Sequence, residues 1–428
     1  MRESRLAVFL AFFGVLGSGA CGEKPAETPA AAPAPEPGAP AKPEEAKPEP
    51  AAAEIKIGQT MPYSGPASAY GTIGRVEAAY FKKINEAGGI NGKKLNLISL
   101  DDGYSPPKTV EQTRKLVEQE QVVFVFNSVG TAANSAVQKY LNSKQIPQLF
   151  VATGATKWGD PANFPWTIGL NPAYQLEGKT YAEHILSTKP KAKIAVLYQN
   201  DDYGKDLLEG LKAGLGDKAK KMIVAEATYE VTDPTIDSQI VSLRGSKADV
   251  FVNITTPKFA AQSIRKVHDI GWKPVHYLNQ VGASIASVLK PAGVENAVGA
   301  LTVGYFKDST DPQYDSDPEM QRFKAFMKQY YPEGDPGDGS NTYGYIAAQV
   351  AVQVLKQCDG DFSSKNVMKQ ATSLKNFVPE LVLPGIALNT SETDFQPFDK
   401  LQMVRFNGQN WKALDEATAQ ANAKTAEK

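Results

Sequence analysis

The sequence predicts an α/β fold in which two doubly wound βα lobes follow one another along the chain. Three observations predict it: short β-rich runs alternate with amphipathic stretches, the strand-like runs are almost continuously apolar, and the alternation starts again at KIAVLYQ, residues 193–199. Continuous apolar strands with crossover helices are typical of parallel sheets that helices cover on both faces. Two such series therefore predict two lobes.

The first series begins after residue 53 with the strand IKIGQTM and an amphipathic helix that Gly88-Gly89 closes. It continues with the strand KLNLISLD, a helix that Pro106-Pro107 opens, the strand VVFVFN, a helix from Thr131 and the strand PQLFVAT. Proline is favoured in the first turn of a helix and glycine just after its end, so both pairs mark helix boundaries.

The second series contains the strands KIAVLYQ, MIVAEATYE, ADVFVNIT and VHYLN, each followed by a helical segment. After it comes QMVRFNGQNWKAL, in which Asn407-Gly408 separates two alternating runs. Asn-Gly between such runs is typical of a two-residue β-hairpin turn. We therefore expect a hairpin here, followed by a polar tail at 414–428.

The first 21 residues have the pattern of an export signal. A charged start, an apolar run too short to span a bilayer and a stretch of small residues end directly at Cys21. This segment resembles the lipobox of bacterial lipoproteins, in which the cysteine sulfur receives a lipid, although Ser18 stands where that motif usually has an aliphatic residue. We expect an exported, periplasmic protein that Cys21 anchors to a membrane. Cleavage near Ala20 to give a free protein is the alternative.

Residues 22–53 are expected to form a disordered tether. Of these 32 residues, 20 are Ala or Pro, a composition that cannot bury enough apolar surface to offset its chain entropy. Prolines favour an extended conformation, so the segment could reach about 100 Å. A spacer of this kind suits a globular part held away from a membrane.

The composition excludes several classes of function. The chain carries 46 Lys and Arg against 47 Asp and Glu, a formal net charge of -1, whereas nucleic-acid-binding proteins normally show a basic excess. Cys21 and Cys358 lie far apart, which disfavours a disulfide framework or a cysteine-based zinc site. The sequence has no phosphate-binding loop or dinucleotide fingerprint. We therefore expect no nucleic acid, metal or cofactor.

The sequence does not show a catalytic constellation. The histidines stand apart in ordinary helix and strand contexts, and two adjacent carboxylate pairs follow strands; the positions are His184, His268, His276, Asp101-Asp102 and Asp201-Asp202. Adjacent residues point in different directions, so neither pair forms an acid and base dyad by itself. Loop and helix-capping roles are the favoured interpretation, and a hydrolase or lyase that uses Asp101, Asp202 or a histidine is the disfavoured one.

Two strand-to-helix junctions are rich in glycine and hydroxyl residues. VFNSVGTAANSAV places Gly130 and Thr131 at one junction, and QLFVATGATKW places Thr153 to Thr156 at the next. Free backbone N–H groups beside hydroxyls can bind a small anion such as a carboxylate. Plain helix capping, in which Thr131 caps its helix, is the alternative.

The chain resembles the periplasmic leucine/isoleucine/valine-binding proteins and the wider group of ABC-transporter solute receptors. The resemblance rests on IKIGQTMPYSGPASAYG, KKINEAGGINGKKL with LISLDDG, VGTAAN, TGAT and VLYQNDDYGKDL, and it covers 54–413. It implies a type I periplasmic binding fold, with two lobes joined by a three-strand hinge near 170, 303 and 395. The implied bounds are 54–170 plus 304–395 for lobe 1 and 171–303 plus 396–413 for lobe 2.

The resemblance also implies roles for individual residues around a ligand between the lobes. The ligand carboxylate would be held from the first lobe by Gly130, Thr131, Gly154, Ala155 and Thr156. Tyr70 and Tyr203 would close over the ligand from two sides, and Asn171 would lie near the first crossing. An aromatic lid would exclude water and strengthen the hydrogen bonds to a buried carboxylate.

The chain departs from the family pattern at two positions. Amino-acid binders of this family place an acidic residue of the second lobe against the ligand ammonium, but Gln280 stands there in this sequence. Thr256 replaces a tyrosine that would face the ligand. Burying an ammonium without a carboxylate would cost several kcal/mol, so Gln280 favours an acid that lacks the amine, such as an aromatic or branched aliphatic acid.

The sequence therefore predicts a monomeric, non-enzymatic binding protein. It would capture a small carboxylate outside the cytoplasmic membrane by lobe closure and deliver it to ABC permease subunits. A branched-chain amino acid remains within the expected ligand range, and the membrane would be contacted through the lipid anchor only. The alternative is a ligand-sensing receptor or regulatory lipoprotein of the same fold that acts on a signalling or cell-wall partner.

Overall fold

The structure, a computed structural model, describes residues 54–414. The predicted signal 1–21 with its anchor Cys21 and the tether 22–53 lie outside the described residues. The tail predicted at 414–428 lies outside them as well, except for its first residue. Within the described residues, one parallel sheet and one mostly parallel sheet, both with flanking helices, confirm the predicted fold class.

The first sheet has five parallel strands in the order β2-β1-β3-β4-β5. Its strands are β1 Glu54–Met61, β2 Lys94–Asp101, β3 Phe124–Phe126, β4 Gln148–Val151 and β5 Thr167–Gly169. The helices that follow its strands are α1 Gly71–Glu86, α2 Pro106–Arg114 and α3 Thr131–Lys144. As predicted, proline opens α2, and Gly88 and Gly89, both at positive φ, follow the end of α1.

The second sheet has seven strands in the order β12-β11-β10-β9-β8-β6-β7. Its strands are β6 Ile194–Gln199, β7 Ile223–Tyr229, β8 Val250–Ile254, β9 Val275–Leu278, β10 Leu301–Gly304, β11 Gln402–Phe406 and β12 Trp411–Ala413. Six helices belong to this part of the chain: α4 Tyr174–Thr188, α5 Asp202–Leu215, α6 Ala219–Met222, α7 Asp237–Gly245, α8 Pro257–Asp269 and α9 Lys290–Ala292. The buried strands β6 and β8 at its centre match the apolar runs that predicted them.

Three later helices return to the first lobe: α10 Pro318–Tyr330, α11 Gly339–Gln357 and α12 Ser364–Ala371. α10 and α11 pack against α1, and residues of all three helices share one apolar core with β1 and β3. Cys358, directly after α11, is buried as expected. The chain thus passes between the sheets after β5, after β10 and before β11, which agrees with a three-crossing hinge. The residue bounds of the two lobes stay predictions.

The predicted hairpin is present, but its turn is shifted by one residue. β11 and β12 pair antiparallel, with Phe406 opposite Trp411. The Asn407 side-chain oxygen accepts hydrogen bonds from the backbone N–H groups of Gln409 and Asn410, and Gly408 has a φ of 100°. The asparagine thus flanks the turn and folds it with its side chain, and the central residues are Gly408 and Gln409.

Candidate functional site

A cavity lies between the two lobes and continues to the hinge strands. The first lobe contributes residues from α1, from the loops before α2 and α3, and from the start of α11. The second lobe contributes residues from α5 and from the segments after β8 and β9, while β10, β11 and β12 line the hinge side. The carboxyl ends of parallel strands in both sheets therefore meet at one cleft, as ligand sites of open α/β sheets do.

Hydrogen bonds cross the cleft and hold the lobes against each other. The Tyr70 hydroxyl donates to the Val281 carbonyl at 2.9 Å. On another side, the Thr156 amide and hydroxyl donate to an Asp206 carboxylate oxygen at 2.8 and 2.9 Å. These contacts join residues of different lobes, so the structure represents the closed arrangement.

Tyrosines dominate the inner part of the cavity. Tyr70, Tyr104, Tyr174 and Tyr203 all line it, and the Tyr174 and Tyr203 rings pack with centroids 5.1 Å apart. Burial raises the pKa of Tyr203 and Tyr70 well above the ordinary value. Both phenols are therefore neutral in the physiological range. The Tyr203 hydroxyl can donate a hydrogen bond to an anion, whereas the Tyr70 hydroxyl already donates to the Val281 carbonyl.

Gly130 and Thr131 line the cavity at the start of α3, but Thr131 does not cap the helix as the alternative interpretation supposed. Gly130 is the N-cap residue with no side-chain cap, and the Thr131 hydroxyl instead lies 2.5 Å from the Thr153 hydroxyl. The first N–H groups of α3 have no intrahelical acceptor. Gly130 has a φ of 102°, and a Cβ there would lie 2.6 Å from the Tyr104 ring, so glycine lets backbone and aromatic ring approach each other.

The structure corrects the expectation for Gly154, Ala155 and Thr156, because none of the three lines the cavity. The Gly154 carbonyl accepts the Tyr174 amide at 2.6 Å. Ala155 belongs to the apolar core of the second lobe. Thr156 uses both its amide and its hydroxyl on Asp206. This stretch therefore joins the lobes beside the cleft, and both donors of Thr156 are directed to Asp206.

Several buried polar atoms at the cavity have no hydrogen-bond partner among residues 54–414. They are the Tyr203 hydroxyl, the Asn171 side-chain oxygen and the Thr342 hydroxyl. Tyr203 is 2% and Asn171 is 7% exposed. An unpartnered buried polar group costs about 1–3 kcal/mol, so three of them around one cavity indicate a polar ligand.

Gln280 and Thr256, the two positions that depart from the family pattern, both line the cavity. The Thr256 backbone amide already donates a hydrogen bond to the Tyr229 hydroxyl at 3.0 Å, so it is not free to donate to a ligand. Behind Gln280 lies a buried acid of the second lobe, Glu177, which accepts hydrogen bonds from the Gln280 amide at 2.8 Å and from the Tyr181 hydroxyl at 2.7 Å. Burial raises the pKa of Glu177 to about 7.

Six aromatic side chains of the described cavity lining escaped the sequence interpretation: Tyr104, Tyr174, Phe306, Tyr314, Tyr343 and Trp411. Tyr104 carried a detectable signal, since it follows the strand end Asp101-Asp102 at the edge where ligands bind. Tyr174 opens α4, just after the first crossing. Phe306 and Trp411 come from segments that meet only when the chain has folded, so no local pattern pointed to them.

The carboxylates and histidines considered for catalysis have structural partners. Asp101 accepts from the Ser64 hydroxyl at 2.6 Å and from Lys108 at 3.0 Å, and Asp202 pairs with Lys157 at 2.9 Å. Buried His276 has its pKa lowered to about 4. Neither the two carboxylates nor this histidine lines the cavity. Between residues 54 and 414, no cluster of three metal-ligating side chains is found, and no helix is long and apolar enough to cross a membrane.

Comparison with known proteins places this architecture in a family. A family model described as periplasmic binding protein matches residues 54–410. The Leu/Ile/Val-binding protein homolog 7 of Brucella abortus is 24% identical over 344 residues, which is 76% of this chain and 82% of the relative.

Among solved structures, a branched chain amino acid ABC transporter protein from Thermus thermophilus with bound valine superposes with a TM-score of 0.76, at 18% identity, over 85% of this chain and 96% of its own. A fatty acid ABC transporter substrate-binding protein from Thermomonospora curvata gives 0.72, at 20% identity, over 86% and 94%. These likenesses confirm the fold and the resemblance seen in the sequence. The chain belongs to the periplasmic binding protein family, in its type I, leucine/isoleucine/valine-binding-like group.

Proposed function

We propose that this protein is an extracytoplasmic solute-binding lipoprotein that captures a carboxylate without an α-amine and delivers it to an ABC permease. The observation that carries the proposal is the tyrosine-lined cavity with its unpartnered buried polar atoms at Tyr203, Asn171 and Thr342. A ligand that satisfies these groups and fills the aromatic space favours lobe closure, because its contacts with both lobes exist only in the closed form.

The start of α3 supports a carboxylate as the polar end of the ligand. The free amides of its first turn carry the positive end of the helix dipole and lie next to Gly130 and Thr131 in the cavity wall. Among the described residues that line the cavity, none is Lys or Arg. The carboxylate would therefore be held by neutral donors, namely the free backbone amides in the first turn of α3 and the phenol hydroxyl of Tyr203.

The acids near the cavity support a ligand without an ammonium group. Asp308 is the acidic residue in the described cavity lining, and its oxygens already accept from the Thr310 amide and hydroxyl and from the Trp411 amide. Glu177 lies behind Gln280 and does not line the cavity, and one of its carboxylate oxygens accepts both the Gln280 backbone amide and the Tyr181 hydroxyl. Within the described lining, a ligand ammonium would thus meet no carboxylate besides Asp308, and burying it unpaired would cost several kcal/mol.

The amine requirement is tested by isothermal titration calorimetry on the full-length chain with two matched pairs of ligands. L-leucine is compared with isocaproate, and L-phenylalanine with hydrocinnamate, because each pair differs in the amine alone. We expect the amine-free acid of at least one pair to bind at least about tenfold more tightly, which corresponds to about 1.4 kcal/mol.

Tighter binding of both amino acids than of their amine-free partners would contradict the proposed ligand class and return the chain to the amino-acid binders. Absence of binding in both pairs, together with turnover or with a signalling partner that responds to another ligand class, would contradict the proposed function itself. Thermal shift provides an independent readout, since a ligand at a hundred times its Kd adds about 2.7 kcal/mol to stability.

A further inference from the structure

We infer that the ligand is an elongated acid whose apolar chain occupies a second compartment of the cavity, here called the hinge chamber. The chamber is defined by Gly304, Phe306, Tyr314, Gly339, Val404 and Trp411, all of which line the same cavity as the tyrosines of the inner end. The inference rests on the proposed function and adds the size and shape of the substrate.

The walls of the chamber are apolar and come from three separate segments. Val404 lies on β11 beside β10, and a Cβ at Gly304 would be 3.4 Å from its side chain. On α11, a Cβ at Gly339 would have only the Phe306 ring within 4 Å, at 3.8 Å. Both glycines therefore leave room that a side chain would fill, and the side-chain atoms nearest to each added Cβ are carbons.

Trp411 lines the chamber and is fixed in place by its polar atoms. Its indole N–H donates to the Ala283 carbonyl at 3.0 Å, and its amide donates to the Asp308 carboxylate at 2.8 Å. Phe306, Tyr314 and Trp411 each keep part of their surface exposed. Because water against such rings is unfavourable, an apolar ligand chain that covers them gains free energy.

The polar groups set the direction in which the ligand lies. Asp308 stands at the hinge chamber and repels a carboxylate there. The free amides of α3 and the unpartnered hydroxyl of Tyr203 attract it at the inner end. Gly339 and Tyr343 both line the cavity one helical turn apart on α11, so the chamber extends the site by roughly 6 Å along that helix. A short acid would leave this length filled with water.

The test measures binding of butanoate, hexanoate and octanoate to the full-length chain by calorimetry. Each added methylene buried in the chamber should tighten binding about threefold to fourfold. Gly339→Leu should fill the chamber and lower the ratio of octanoate to butanoate affinity at least about tenfold. The matched control is Gly245→Leu, an exposed helix-end glycine with nothing within 4 Å of its added Cβ, which should leave that ratio unchanged.

Gly304→Val narrows the chamber from the side of β10 and should also lower the ratio of octanoate to butanoate affinity. The inference therefore stays testable if one variant does not fold. Equal affinities for butanoate and octanoate in the wild-type protein would overturn the chamber and leave the proposed function intact. An unchanged ratio in both folded chamber variants would overturn it as well. If none of butanoate, hexanoate, octanoate, isocaproate and hydrocinnamate binds in calorimetry, the proposed function and the chamber are both rejected.

Discussion

The hydroxyl of Tyr203 provides a sharp test of the proposed binding site, because it is buried at the cavity without a partner among the described residues. The proposed ligand carboxylate would accept its hydrogen bond. Tyr203→Phe removes that donor and keeps the ring, whose contact with Tyr174 at 5.1 Å supports the shape of the pocket. A hydrogen bond to a charged group is worth about 1.5–3 kcal/mol. Affinity for isocaproate should therefore fall by roughly one to two orders of magnitude.

Calorimetry measures the affinity, and urea denaturation measures the free energy of unfolding. Tyr203→Phe should not lower the free energy of unfolding, since the hydroxyl has no hydrogen bond among the described residues to lose and its burial without a partner is itself unfavourable. Tyr203→Ala should weaken binding by a further 1–3 kcal/mol or so, because the aromatic surface that covers the ligand is also lost.

Tyr305→Phe is the matched control. Its hydroxyl is also buried and unpartnered, but Tyr305 does not line the cavity. This variant should bind isocaproate as the wild type does. Equal affinities of the wild type and Tyr203→Phe, or an equal loss in Tyr203→Phe and Tyr305→Phe, would refute the placement of the carboxylate beside Tyr203.

Three further predictions concern the backbone, a buried acid and the anchor. Gly130→Ala should lower the free energy of unfolding by about 1–3 kcal/mol in urea denaturation, because the added Cβ would meet the Tyr104 ring. The control Gly216→Ala, at positive φ in open space, should lower the free energy of unfolding by less. An equal loss in both variants would contradict a clash between the added Cβ and Tyr104. Glu177 has a pKa raised by burial from 4.5 to about 7, so the folded state binds its proton more tightly and stability should fall as pH rises from about 4.5 to 7. Glu177→Gln should remove this part of the pH dependence in denaturation curves, and an unaltered slope would contradict the raised pKa. Cys21→Ser should release the protein from membrane fractions, and persistent membrane association would contradict the proposed anchor.

The sequence was sufficient to predict the fold because the signals for strands and helices are local. Apolar runs such as IAVLYQ became the buried central strand β6, and Pro106 opened α2 as its ring geometry favours. The hairpin was placed correctly, but its turn moved by one residue because the side chain of Asn407 bonds two following amides. Such side-chain turns depend on geometry that a residue pattern does not contain.

The binding site was predicted in part. The positions taken from the resemblance that line the cavity are Tyr70, Gly130, Thr131, Asn171, Tyr203, Thr256 and Gln280. Gly154 to Thr156 carry the same local pattern as Gly130 and Thr131, yet they join the lobes instead. The difference is Asp206 of the opposite lobe, which takes both donors of Thr156; a residue so distant in sequence could not be paired with it in advance.

The sequence by itself determined the alternation of strands and helices, the two lobes and the family, because each follows from local patterning or from motifs in order. Tertiary structure alone decided which groups line the cavity. Closure brings Tyr70 to Val281 across 211 positions of sequence and leaves the Tyr203 hydroxyl without a partner. It also places Glu177 behind Gln280 and sets Phe306 and Trp411 around one chamber. The burial of a polar group and its hydrogen-bond partners depend on every segment that packs around it. The sequence pattern shows only the residues that are its neighbours along the chain.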